Sequence, residues 1–96
     1  MFFVYILASG RNGTLYIGVT NSLQRRLEQH RAGIGSEFVK KYDVLRLVYV
    51  EAYERPYEAI TREKQLKRWK RDWKIDLFRE SNPNWDDLYP VISRLS

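Results

Sequence analysis

The chain has 96 residues, 44% hydrophobic and 15% aromatic, which fits a single folded domain over residues 1–96 with one compact core and argues against disorder. It contains no cysteine, which excludes disulfides, a thiol nucleophile and cysteine-based zinc or iron–sulfur centres, and its opening "MFFVYILASG" lacks a basic segment and has too short an apolar run for a signal peptide or membrane span. A cytoplasmic protein with no membrane or disulfide-linked partner is expected, and the excess of 17 Lys and Arg over 12 Asp and Glu favours a polyanionic ligand.

Residues 2–8, "FFVYILA", and 14–19, "TLYIGV", are rich in β-branched and aromatic types and flank "GRNGT", a hairpin signal. Asn12-Gly13 suits a two-residue type I′ turn, in which Arg11 faces Thr14 and Leu7 faces Gly18. In that register Phe3, Tyr5 and Leu7 share a face with Thr14, Tyr16 and Gly18, and Val4 and Ile6 join Leu15, Ile17 and Val19 on the other.

A helix follows over about Ser22 to Ala32, with Asn21 as the expected cap, Gln24 placed to reach back to it, and Gly33 as the stop. At 100° per residue Leu23, Leu27 and His30 form one stripe; Arg26 lies about 60° from Leu23 at its edge, whereas Arg25 lies about 160° away on the solvent side. "GIGSEFVKKYD" reads as a loop with at most one helical turn, and Val44 to Tyr53 as a third strand that completes a small sheet. A second helix starts near Pro56 and carries Ala59, Leu66, Trp69 and Trp73 as its apolar stripe. Glu63 borders that stripe, and in a straight helix Lys67, Lys70 and Lys74 would follow it in one row. Asp72 is placed to cap a shorter helix, and "NPNWDDLYPVISRLS" holds a turn at Pro83 and a short closing helix.

"VYIL" at 4–7, "LYIG" at 15–18, then Arg26, His30 and the helical Glu63 of "EAITREKQLK", in this order and over nearly the whole chain, resemble the GIY-YIG endonuclease superfamily, and most of all its small stand-alone bacterial branch. The resemblance implies an α/β fold with a central three-stranded antiparallel sheet flanked by helices, and DNA cleavage with one divalent ion, Mg²⁺ or Mn²⁺. Position by position it implies Tyr5, Tyr16, Arg26, His30 and Glu63 as catalytic residues, Glu63 as the metal ligand, and Gly18 as the motif glycine that keeps a Cβ out of the substrate's path. Lys67, Lys70 and Lys74 are the expected phosphate-binding row. The chain departs from the family at Val19, where many members have lysine, and the family's C-terminal asparagine has two candidate counterparts, Asn82 and Asn84.

These residue types match what phosphodiester hydrolysis requires: a base for water, positive charge on the developing phosphorane, and help for the leaving oxygen. Glu63 would hold the ion, Arg26 would fork onto a phosphate, and Tyr16 would act as base or base relay, its phenolate stabilised by neighbouring cations. His30 would accept the proton or hold phosphate, and Tyr5 would orient Tyr16 or the water. The expected function is a divalent-metal-dependent endonuclease on structured or damaged DNA, because no part of the chain looks like a separate sequence-reading module. The alternative is a nucleic-acid-binding module of the same fold with little activity, for which Val19 is the chief support.

Overall fold

A computed structural model describes the backbone of residues 1–95 and the side chains through Ile92. Three strands, β1 (Phe2–Ala8), β2 (Leu15–Thr20) and β3 (Arg46–Tyr53), form an antiparallel sheet in the order β2-β1-β3. Five helices flank it: α1 (Leu23–Arg31), α2 (Glu37–Tyr42), α3 (Pro56–Arg68), α4 (Arg71–Asp76) and α5 (Tyr89–Leu95). Being central, β1 has both edges paired and both faces covered, and Val4 through Ala8 are completely buried.

The hairpin forms, but its turn is wider than the two residues expected from Asn12-Gly13. Ser9 N donates to Thr14 O, Gly13 N donates to Gly10 O, and Asn12 alone among the non-glycine turn residues takes the left-handed conformation, with φ 59°. Two side chains hold the wider loop: Ser9 Oγ accepts from Thr14 N, and the Arg71 guanidinium donates to the carbonyls of Asn12 and Gly13. The register therefore slides by two, so that Tyr5 faces Gly18 and Leu7 faces Tyr16. A slide of two preserves the alternation of side chains, and Tyr5 and Tyr16 remain on one face.

One sheet face carries Val4, Ile6, Ala8, Ile17 and Val48 against Ala59 and Leu66 of α3, together with Phe78 and Trp85. The other carries Tyr5, Leu7 and Leu47 against Leu23 and Leu27 of α1, Val39 of α2 and Val44. Entry into α1 is fixed by Thr20, whose Oγ1 accepts from Ser22 N at 3.0 Å; Ser22 takes the cap position expected of Asn21, and the Gln24 side chain pairs with Glu28 instead of reaching back. The helix ends as its sequence suggests, in a Schellman motif: Gly33 (φ 77°) donates to His30 O and Ile34 N to Gln29 O. The one helical turn expected within the following loop forms as the six-residue α2, because Ser36 caps it by accepting from Val39 N and Asp43 closes it in the left-handed region, φ 55°.

The lysine row required the second helix to run straight to Lys74, and the structure does not continue it that far. α3 stops at Arg68, Trp69 and Lys70 are extended (ψ 149° and 151°), and α4 begins at Arg71. The break lets Trp69 fold against the core, edge-on to Trp73 and beneath the Arg62 guanidinium at 5.0 Å. Lys67, Lys70 and Lys74 consequently do not form one helical row below Glu63. The side of α3 facing the sheet edge is clamped by Glu51 of β3, whose carboxylate accepts from Tyr53, from Tyr49 and twice from Arg62.

Candidate active site

Tyr5 is the centre around which the other residues arrange. Its position in the middle of β1 buries it completely, and the residue opposite is Gly18. A Cβ at Gly18 would lie 2.4 Å from both Cζ and Oη of Tyr5, closer than side-chain atoms can approach. The glycine therefore makes room for the tyrosine ring, a role that the expectation of a cleared substrate path did not include. Across this gap Tyr5 Oη meets Nε2 of His30 at 3.0 Å, a buried hydrogen bond between β1 and the last turn of α1.

Tyr16, half-buried on β2, completes a triangle of rings, 6.4 Å from Tyr5 and edge-on to His30 at 5.7 Å. Arg26, one turn before His30 on α1, is half-buried as its helical phase predicts, whereas Arg25 is exposed. The Tyr5 phenol is pushed up to about 12, chiefly by burial and next by Tyr16; the Arg26 guanidinium opposes this by its charge and as a hydrogen-bond donor, and Glu63 of α3 adds to the rise. Residues from β1, β2, α1 and α3 thus act on one phenol oxygen. His30 is held below its ordinary pKa, first by burial and then by Arg26, so it is neutral at pH 7. The direction of the Tyr5–His30 hydrogen bond follows the imidazole tautomer, and the other ring nitrogen, Nδ1, is buried with no hydrogen-bond partner among the described residues.

Glu63 is half-buried and pairs with Lys67 at 3.4 Å. Among the described residues no three His, Asp or Glu side chains gather into a metal cluster. A single carboxylate nevertheless fits Mg²⁺, which uses one or two protein carboxylates and fills its shell with water and phosphate oxygens. Lys67 is exposed enough to swing away. Lys70 is exposed, while Lys74 is half-buried with an ammonium pKa lowered by burial and then by Arg71. Val19 packs against the opposite hydrophobic cluster. Asn82 is buried, bonded to the carbonyls of Val48 and Asp86 and to Asp86 N, whereas Asn84 is exposed.

At the start of α1, Arg25 and Arg26 line a cavity of about 160 Å³ with Thr20, Asn21, Ser22 and Gln29. Phe38 and Tyr42 adjoin the site, since Phe38 stacks on Tyr16 at 6.0 Å and 28°. Reading their segment as a loop passed over them; two aromatics four residues apart beside Lys40-Lys41 are the signal that was there.

The sheet, its flanking helices and the tyrosine-centred cluster define a nuclease-type domain: residues 1–76 match the family model for the GIY-YIG catalytic domain, and the chain belongs to that family. Among its relatives it is similar to the UPF0213 proteins SA0446 and SAV0488 of Staphylococcus aureus strains N315 and Mu50, each 37% identical over 78 residues that span 81% of this chain and 94% of the relative. The solution NMR structure of the UPF0213 protein BH0048 from Bacillus halodurans superposes with a TM-score of 0.55 at 28% identity, over 91% of this chain and 93% of that one. Membership points to nuclease chemistry and a nucleic-acid substrate. Among the described residues no helix is long and apolar enough to cross a membrane.

Proposed function

We propose that the protein is a divalent-metal-dependent endonuclease that hydrolyses DNA phosphodiester bonds at the cluster around Tyr5. The observation that carries this reading is the clustering of Tyr16 of β2 and His30 of α1 around the buried ring of Tyr5, whose phenol oxygen meets His30 Nε2 and whose pKa responds to Arg26 of α1 and Glu63 of α3. A raised phenol pKa and a lowered imidazole pKa in direct contact are a common mark of a functional site.

Each residue has a role consistent with its surroundings. Tyr5, with its pKa raised to about 12, keeps its proton and acts as a positioning partner of His30 rather than as the base. Tyr16 is half-buried rather than enclosed, next to the neutral His30, and takes the role of base or relay for the attacking water. Arg26 offers a fixed fork of donors to a phosphate, and its charge matches the developing phosphorane. Glu63 would hold Mg²⁺ or Mn²⁺, which when bound supplies Lewis-acid stabilisation of the phosphate and leaving oxygen. Lys67 and Lys70 extend the positive surface along which a DNA backbone is attracted.

The test is incubation of purified protein with labelled duplex, single-stranded and branched DNA, with Mg²⁺, with Mn²⁺ and with EDTA. Cleavage that requires the ion supports the reading. Tight, salt-sensitive binding with no cleavage in any metal would instead identify a nucleic-acid-binding module on the same fold, the reading favoured by Val19 and by the ion pair between Glu63 and Lys67.

A further inference from the structure

Helix α2 turns Val39 into the core and leaves Phe38 and Tyr42 at 40% and 46% exposure on its outer side. Where their rings lie matters more than their exposure. Phe38 is stacked on Tyr16, Tyr42 lies 4.8 Å beyond Phe38, and Tyr16 is edge-on to His30, so an unbroken series of rings runs from the Tyr5–His30 bond to the protein surface. Lys40 and Lys41 flank Tyr42 in the last turn of α2, with the Lys41 ammonium 5.4 Å from the Tyr42 ring; Glu37 lies a turn away at the other end, and Asp43 caps the helix.

A nucleobase offers a flat π face to such rings, but a paired base in a duplex has both faces covered by its neighbours, and only an unstacked one is free. Resting on the reading of this cluster as a phosphodiester-cleaving centre, we propose that Phe38 and Tyr42 form a stacking subsite for an unpaired nucleobase adjoining the phosphate held at Tyr16 and Arg26. The lysines beside the rings complement the backbone of that nucleotide. The site thereby selects DNA with an unpaired base next to the scissile bond, such as a bulge, a flap junction or a single strand.

The test uses the full chain in EDTA, where binding is read without cleavage. Oligonucleotides carry 2-aminopurine either at an unpaired position or at the same position in a perfect duplex, and affinity and fluorescence are followed together. The expected result is binding of the unpaired form about tenfold tighter or more, with quenching on binding. Phe38→Leu, checked by its melting temperature, should remove most of that preference and the quenching while leaving duplex affinity unchanged, and Phe38→Trp should retain both. Equal affinity for paired and unpaired forms, or a Phe38→Leu variant that keeps the preference, overturns the subsite. A parallel assay with Mg²⁺ separates the two claims. Cleavage without preference for the unpaired form leaves the nuclease reading intact and removes the stacking subsite; quenched, Phe38-dependent binding without cleavage does the reverse.

Discussion

Replacing Gly18 with alanine adds one methyl group at the point where two different accounts of this glycine diverge. The methyl carbon would sit 2.4 Å from Cζ and Oη of Tyr5, about 1 Å inside the nearest tolerable separation, and Tyr5 has no exposed side toward which to retreat. Overpacking of this kind costs about 1–3 kcal/mol, and losing the buried hydrogen bond to His30 adds about 1 kcal/mol. In a domain of this size that lowers the melting temperature by roughly 10 °C or more. A ring displaced by about 1 Å would also slow cleavage by about a hundredfold. Thermal unfolding by circular dichroism, alongside single-turnover cleavage at saturating DNA, reads both effects. Combining Gly18→Ala with Tyr5→Phe, in which the hydrogen bond is already absent, should cost less than the sum of the two single changes. A Gly18→Ala protein that melts within about 2 °C of the wild type but cleaves poorly would refute the packing argument and restore a glycine that clears the path for substrate.

The adjacent arginines provide a comparison at constant charge: Arg26→Ala should lower the single-turnover rate by about a hundredfold, as for loss of one preorganised oxyanion donor, and Arg25→Ala by at most a few-fold, through weaker attraction of phosphate in the cavity both residues line. Equal losses would show that the half-buried position of Arg26 has no catalytic meaning. His30, with its pKa lowered in the folded state, takes up a proton less readily than in the unfolded chain, so its contribution to stability is complete above pH 6.5 and is lost as pH falls below it; His30→Gln should flatten the stability profile in that window, measured by urea unfolding from pH 7 to pH 5. Tyr5, with its pKa raised to about 12, behaves in the opposite sense, and its contribution is lost as pH climbs from about 10 toward 12. Lys67→Ala with Lys70→Ala should weaken binding to every DNA sequence and reduce its salt dependence, read by fluorescence anisotropy at several salt concentrations; unchanged affinity at low salt would remove these lysines from the interface.

Much of the site was legible in the sequence because it depends on periodicity. The alternation of β1 and β2 placed Tyr5 with Tyr16 even though the turn between them was wider than expected, since a register error of two does not change which face a side chain takes. Helical phase separated Arg26 from Arg25 for the same reason. What escaped the sequence depended on contacts between distant segments. The hairpin loop is held open by Arg71, far along the chain, and α3 gives way to the extended Trp69, whose ring packs against the core. The partner of Gly18 is a ring on the neighbouring strand, so its role could be identified only once the register was known. The short α2 is legible only as a single helical turn, because its cap, Ser36, lies in a glycine-rich stretch with no long hydrophobic period to show which side chains it turns outward.

The central claim, that the residues gathered on Tyr5 cut DNA with a metal held by Glu63, is tested most directly by measuring single-turnover cleavage of one labelled DNA by wild type and Glu63→Gln across a Mg²⁺ titration. The side chains are nearly equal in size, and Glu63 is only half-buried, so the variant should melt within about 2 °C of the wild type. The account predicts wild-type cleavage that rises with Mg²⁺ and stops in EDTA, and at least a hundredfold slower cleavage by Glu63→Gln at every Mg²⁺ concentration. Cleavage that persists in EDTA, or a folded Glu63→Gln protein that cuts at the wild-type rate, would contradict it.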